Sequence, residues 1–521
     1  MTTSTSARRG VRRAGIAGLG ALAAALVVLG VAGPASAAPA PAPSKPDKPA
    51  NQLNKHWRFD ASSVAVTDVA RVIGADRLWN AGITGEGVGV ALIDTGVVPV
   101  PGLRADHVVN GPDLSLDSQT EDARYLDTFG HGTHLAGIIA GSDGANFTGI
   151  APGATITSVK VGAYDGAVDV SQVIAALDWV VEHRSDNPKR PIRVVNLSYG
   201  TDGVQDYQID PLTHAVENAW RAGIVVVVAA GNGGTAAPKL TNPAYDPYVI
   251  AVGASDTNGT VLPHDDSVAD FSSRGDADRR ADLVAPGRSI VSLRDPGSYV
   301  DEANPTARVG DNLFKGSGTS QSAAVVSGAV SLLLQARPNL TPDQVKAALT
   351  RSAVKLGGSD PGQGAGELNV ALASVTPAKG AKQTWAPSTG TGSLEAARGG
   401  SHLALNDDVL SGEADLFGPF DTAAWAKASS AGTAWVDGTW MGRALTGTSW
   451  GASSWAGLTW SGLTWSGLTW SGLTWSGLHW SGLTWSGLHW SGLTWSGLHW
   501  SGLHWSGLHW SGLHWSDESW N

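Results

Sequence analysis

The sequence predicts an α/β protein: a three-layer α/β/α domain around a mostly parallel central sheet. Three observations carry this. Short runs such as Gly87–Ile93 (GVGVALI) and Ile224–Ala230 (IVVVVAA) are apolar at every position, the mark of strands buried on both faces. These runs alternate with longer amphipathic ones, the pattern of repeated strand–helix–strand units. Apolar residues make up 42% of the 521 and charged residues 16%, enough to fill a large core and long enough for two or three domains.

The elements follow in order. Arg8, Arg9, Arg12 and Arg13, the apolar run Ala14–Ala32 and the small-residue site Ala35-Ser36-Ala37 read as a secretory leader over 1–37, so the chain is expected to be secreted. Residues 38–71, Pro- and Ala-rich at first, read as a linker or short prosegment. Regular structure is expected from Val72, in a domain over 72–375. Its strands are placed at Gly87–Ile93, Ile156–Val161, Arg193–Leu197, Ile224–Ala230 and Tyr248–Gly253. Its helices are placed at His131–Ala140, Ser171–His183, Pro211–Ala222 and Gln321–Gln335, with a last helix opened by Thr341-Pro342-Asp343-Gln344 and running to Ser352. The core is expected to close near Leu368–Ser374. A linker region follows over 376–430, then a tail over 431–521.

Charge and cysteine content exclude several functions. The leader holds four arginines and no acid, so its removal takes the formal charge from -11 to -15. That balance argues against nucleic acid as a partner. The chain has no cysteine, which removes disulfides, cysteine nucleophiles and zinc–thiolate sites.

The chemistry is concentrated in three blocks: Asp94-Thr95-Gly96, His131-Gly132-Thr133-His134 and Gly318-Thr319-Ser320. Taken singly, Asp94 reads as a turn residue, His131 as a helix start, Ser320 as a helix cap, and Asn232 before two glycines as a turn former. Taken together, an acid, an imidazole and a hydroxyl in the order Asp…His…Ser form one of the few chain orders of nucleophilic serine hydrolases. His134 is expected to bury and bond locally, and Asp343 and Glu367 to be surface or cap residues.

With their flanks the blocks become specific. Ala91–Gly96, His131–Gly137, Val228–Asn232, Ile250–Ala254, Ala285–Gly287 and Gly318–Ser320 occur in the order found in subtilases, and residues 72–375 resemble that family of subtilisin-like serine peptidases. The resemblance implies a serine endopeptidase acting through an acyl-enzyme. Ser320 would be the nucleophile, His131 its base, Asp94 the group that orients the imidazole, and Asn232 an oxyanion donor. Ser198, Tyr199 and Gly200 would form the edge on which an extended substrate adds as a strand. Ala229, Ala230 and Gly231 would form the opposite wall of the first specificity pocket. Protein or peptide substrates are implied, with no nucleic acid, no required cofactor and a monomeric state. Structural calcium is left open and its ligands unknown, since Asp143 and Asn146 in the 142–146 turn match relatives poorly. The alternative is a catalytically silent cell-surface adhesion protein that retains the fold.

Two departures from the family stand out. Gln321 follows the nucleophile where relatives carry methionine, and only Ala38–Arg71 lies between leader and core, too little for a compact prodomain.

The tail is a separate problem. From Trp450 to Trp520, tryptophan recurs every five residues in units of Trp-Ser-Gly-Leu-Thr or Trp-Ser-Gly-Leu-His. Period five suits neither an amphipathic helix nor a half-buried strand. Two readings stand: a square β-solenoid with five residues per side, resembling pentapeptide-repeat proteins, or a disordered Gly/Ser-rich tail. Outward tryptophans in the first would suit cell-wall glycan or a membrane surface, retaining the protein at the cell surface. His479, His489, His499, His504, His509 and His514 replace threonine toward the end.

Overall fold

The computed structural model describes residues 58–443, apart from 121, 145–146, 204, 401, 406–407 and 417, together with the backbone of short strands between 474 and 505. The leader and residues 38–57 lie outside the described residues. Regular structure begins at β1 (Val64–Ala65), α1 (Val66–Val72) and α2 (Ala75–Trp79), earlier than the expected Val72. Val64, Val66, Val69 and Ala70 are buried, and β1 pairs with a strand more than two hundred residues on. Seven residues of helix with four apolar contacts leave too weak a periodic signal to be read locally.

The main sheet is built from β2 (Gly89–Asp94), β3 (Val108–Asp113), β4 (Thr155–Lys160), β5 (Ile192–Leu197), β6 (Val225–Ala229), β7 (Ile250–Asp256), β8 (Ser267–Val268) and β9 (Leu283–Pro286). Its order is β3-β4-β2-β5-β6-β7-β8, with β9 also on β7, and only the β7–β8 pair is antiparallel. A smaller sheet joins β1, β10 (Ile290–Leu293), β12 (Leu313–Gly316) and β11 (Arg308–Val309). Every residue of β2, β4 and β6 is buried; β2 and β6 accordingly read as near-continuous apolar runs, whereas β4 buries Thr155, Thr157, Ser158 and Lys160 among its apolar residues.

The helices are α3 (His131–Ala140), α4 (Val170–His183), α5 (Pro211–Arg221), α6 (Tyr299–Ala303), α7 (Thr319–Ala336), α8 (Pro342–Ser352), α9 (Val370–Val375), α10 (Leu394–Arg398) and α11 (Thr422–Ser430). The α3–α7 pair packs together, with α7 lying across β5, β6, β7 and β9, while α4 and α5 pack on one another. The starts of α4 and α8 are fixed by reciprocal capping, Asp169 with Gln172 and Thr341 with Gln344.

The direction in which the chain adds strands reverses at β2. From β2 it goes out to the edge at β3, comes back to β4, then crosses β2 and adds β5, β6 and β7 on the other side. Ligand sites of open parallel sheets lie beyond the carboxyl ends of strands at such a reversal. Asp94 is the last residue of β2.

The region 376–430 is no linker. It continues the folded core to Arg443. Trp425 and Trp440 are buried, and both indole N–H groups donate to Asp178 Oδ2 of α4, at 2.8 and 2.9 Å. Ser429 Oγ donates to the other Asp178 oxygen. Arg398 Nε lies 2.6 Å from Asp169 Oδ2, with neither side chain exposed to solvent. His214 of α5 bonds the Ser388 carbonyl through Nδ1 and meets Ser430 Oγ through Nε2. Burial pushes the Asp178 carboxyl up despite its three donors.

In the tail, 474–476, 479–481 and 484–485 pair in parallel with 494–496, 499–501 and 504–505, so Thr474 faces Thr494, His479 faces His499 and Thr484 faces His504. Each pair is offset by four five-residue units. The rest of the tail, His489, His509 and His514 among it, lies outside the described residues.

Candidate active site

The acid and the imidazole meet where β2 ends and α3 begins. Asp94 Oδ1 lies 2.8 Å from His131 Nδ1, and both residues are buried. Asp94 Oδ1 also accepts the Thr95 N–H at 2.8 Å. Glycines allow the close approach: a β-carbon on Gly132 would sit 2.1 Å from the Gly96 carbonyl oxygen, and Gly96 itself has φ of +111°.

The free N–H groups at the start of α3 are spent on two side chains. Gly132 donates to Thr95 Oγ1 at 2.9 Å, and Thr95 Oγ1 donates on to Asp127 Oδ1 at 2.7 Å. Asp127 accepts from Gly130 N–H and Thr133 N–H, both at 2.7 Å. Asp127 thus braces the histidine turn from behind. Its place four residues before His131 is a weak cap signal, and nothing local in the sequence ties it to Thr95. Burial works against a charged His131, but the charge and hydrogen bond of Asp94, and the charge of Asp127, outweigh it and hold the imidazole pKa above its ordinary value.

Ser320 is the second residue of α7 and is buried. The start of that helix rests on Ala285-Pro286-Gly287: Gly318 N–H donates to the Gly287 carbonyl at 2.8 Å and Ser322 Oγ to the Ala285 carbonyl at 2.9 Å. Asn232 is tied to the same turn. Its Oδ1 accepts Thr319 N–H at 2.9 Å and Thr319 Oγ1 at 3.0 Å, while its buried Nδ2 has no acceptor. Gly231 N–H donates to Thr319 Oγ1 at 3.2 Å.

Ser198, Tyr199 and Gly200 follow β5, and Ala229, Ala230 and Gly231 close β6. These strands are parallel neighbours and β5 adjoins β2, so both segments leave the sheet at the edge that carries Asp94. Asn196 Nδ2 donates to Ser198 Oγ at 3.2 Å, and burial raises the Tyr199 phenol.

Three expectations need correction or completion. His134 is buried, but neither ring nitrogen has a hydrogen-bond partner, so it does not bond locally. Burial, then the charge of His131, lowers its pKa to about 3, and it is neutral at any working pH. Glu367 is not a surface residue: it is wholly buried. Asp343 does sit in the first turn of α8, and it also accepts the Trp220 indole N–H at 2.8 Å and Gln383 N–H at 3.1 Å. Asp143 Oδ1 accepts Phe147 N–H at 2.8 Å, closing the 142–146 turn in which Asn146 lies outside the described residues.

A buried carboxylate–imidazole pair thus opens the helix that packs on the serine-bearing one, in a chain of the serine-peptidase class. The chain belongs to the subtilase family, the S8 peptidases, whose sequence model matches residues 85–366. It is 41% identical over 296 residues to serine protease AprX of Bacillus subtilis (strain 168), covering 55% of this chain and 66% of that one. It is 33% identical over 282 residues to the minor extracellular protease Epr of the same organism, covering 54% and 37%. It is 32% identical over 296 residues to subtilisin DY of Bacillus licheniformis, covering 55% and 91%. The chain therefore spans less than two thirds of the first two relatives and most of the third.

Proposed function

We propose that this chain is a secreted serine endopeptidase that cleaves protein or peptide substrates through an acyl-enzyme. Ser320 Oγ attacks the scissile carbonyl as His131 Nε2 takes its proton, and Asp94 holds the imidazole by Nδ1 and stabilises its charged form. The tetrahedral oxyanion is received by Asn232 Nδ2 and the Ser320 N–H at the start of α7. Collapse expels the amine, which takes the proton back from His131. Water then repeats the sequence on the acyl-enzyme. No cofactor enters.

One observation carries this reading above that of a silent adhesion protein. A buried amide donor without an acceptor costs stability, and Asn232 is anchored by its oxygen so that its nitrogen stays unspent beside the nucleophile's helix. A protein with no oxyanion to bind has no use for such a group. The leader over 1–37 and relatives named as extracellular proteases support secretion. The even register of the tail strands supports a coil carrying tryptophan in repeating positions, suited to glycan or membrane-surface contact.

The experiment is labelling by an organophosphate serine probe, with hydrolysis of a peptide library alongside. Labelling and cleavage by the wild type, both lost in Ser320→Ala, are expected. A wild type that neither labels nor cleaves refutes the enzyme and leaves the adhesion protein.

A further inference from the structure

At the edge of the main sheet, beyond β7, three polar side chains meet with no hydrogen-bond partner outside their own group. Ser255 lies in β7, opposite Val268 of β8 and Pro286 of β9. Asp266 directly precedes β8. Glu367 bridges Val284 of β9 and Val354, exchanging main-chain bonds with Val354 at 2.7 and 2.9 Å. Glu367 and Ser255 are wholly buried and Asp266 is 4% exposed. Among the described residues no group outside these three bonds either oxygen of Asp266, either of Glu367 or the Ser255 hydroxyl. Asp266 and Glu367 are close enough to repel one another, and the Ser255 hydroxyl faces Glu367.

Among the described residues no base neutralises the pair. The charged groups bearing on Asp266 are Asp265 and Asp256, both acids. Asp256 is already matched by Arg288 at 2.8 Å, and Asp265 accepts Thr260 Oγ1 at 2.7 Å. The neighbouring side chains Val268, Val284 and Leu356 form a small apolar cluster and supply no polar partner. Buried carboxylates are otherwise paired or coordinate a metal. The donor set is oxygen alone, with no nitrogen or sulfur, which selects a hard cation.

We propose that Asp266, Glu367 and Ser255 are protein ligands of a buried calcium ion that fastens the β7–β8 turn to the strand-like segment around Glu367. Two carboxylates match its charge. Among the described residues no third acidic or imidazole side chain joins them, so main-chain carbonyls and water complete the shell. The site ties residues 254–268 to residues 354–367, two segments that the sequence separates by about a hundred positions, and it does not depend on the peptidase reading.

The test is calcium titration by calorimetry on the chelator-treated full chain, with melting curves with and without calcium, in wild type, Glu367→Gln and Asp266→Asn. Wild type is expected to bind one calcium more per chain than either variant. Calcium at a hundredfold excess over its dissociation constant should raise the wild-type melting temperature by about 3 °C. That rise should disappear in Glu367→Gln, which without calcium should melt no lower than calcium-free wild type. Should either variant misfold, Ser255→Ala keeps both charges and should bind calcium about tenfold more weakly. Equal calcium stoichiometry and equal thermal shifts in wild type and variants overturn the proposal, and a wild type unaffected by chelation at neutral pH does the same, leaving two carboxyls that hold protons instead.

Discussion

Arg398→Met tests whether the segment after Val375 is part of the fold. The arginine is wholly buried, its Nε 2.6 Å from Asp169, its Nη1 2.7 Å from the Gly412 carbonyl and 3.1 Å from Glu395. Methionine keeps much of the volume and removes the charge. Breaking a buried pair from one side costs about 3–5 kcal/mol, because the other charge is stranded. Asp169 still caps α4 through Ser171 N–H at 3.0 Å, which favours the lower end. Against a total stability of about 5–15 kcal/mol, the loss should lower the melting temperature of a folded body this large by about 4–6 °C. Scanning calorimetry at one fixed scan rate measures it. Adding Asp169→Asn should recover part of the loss, since the stranded charge is gone. Ending the chain after Val375 removes Arg398, Trp425 and Trp440 together and should leave little folded protein, whereas ending it after Arg443 should preserve melting temperature and hydrolysis. If the chain ending at Val375 melts within about 2 °C of the one ending at Arg443, the segment is a linker after all and the reasoning fails.

The other predictions concern the site. Asn232→Leu should lower kcat with little change in KM; in subtilisin itself such a donor is worth about 10²–10³ in turnover, and an unchanged kcat would exclude Asn232 from the oxyanion hole. The acid limb of the kcat/KM profile should lie above the ordinary imidazole range, because Asp94 and Asp127 raise His131 and the base must be neutral to act; Asp127→Asn should shift that limb downward. His134 makes the fold acid-labile. Its pKa falls from 6.5 to about 3 on folding, so the unfolded chain gains a proton first and stability declines as pH drops through that window, by about 1.4 kcal/mol per pH unit. His134→Phe should flatten this part of a stability–pH curve, and an unaltered curve would refute the assignment. Peroxide should inactivate the enzyme slowly, since Gln321 replaces the methionine beside the nucleophile and the chain's two methionines are Met1 and Met441; rapid inactivation would refute it.

How much of this was legible depended on range. The helix at His131–Ala140 was read to the residue, and the helix ending at Ser352 was opened by a capping box that the structure forms. The buried strands β2 and β6 announced themselves by unbroken apolar runs. By contrast β9, β10 and β12 have four residues each, too few to show a period, and exist because distant partners supply their hydrogen bonds. The region 376–430 looked like a linker because its anchors reach back 229 to 247 residues, from Arg398 to Asp169 and from Trp425 to Asp178. Within the site, Asp94, His131 and Asn232 lie in blocks whose neighbours are themselves informative. Asp127 works through Thr95, a link no local pattern carries. Glu367 followed an Ala-Gly pair typical of a turn, and its burial comes from a strand-like bridge that only the tertiary structure makes.

The two indoles that grip Asp178 set where the repeat array can be detached. Any nick between 376 and 440 leaves the downstream fragment held to Asp178 on α4 by at least one indole. Shedding the tail, by a protease or by an engineer choosing a fusion boundary, therefore calls for a cut beyond Arg443, and the released body would carry its tryptophan clasp with it.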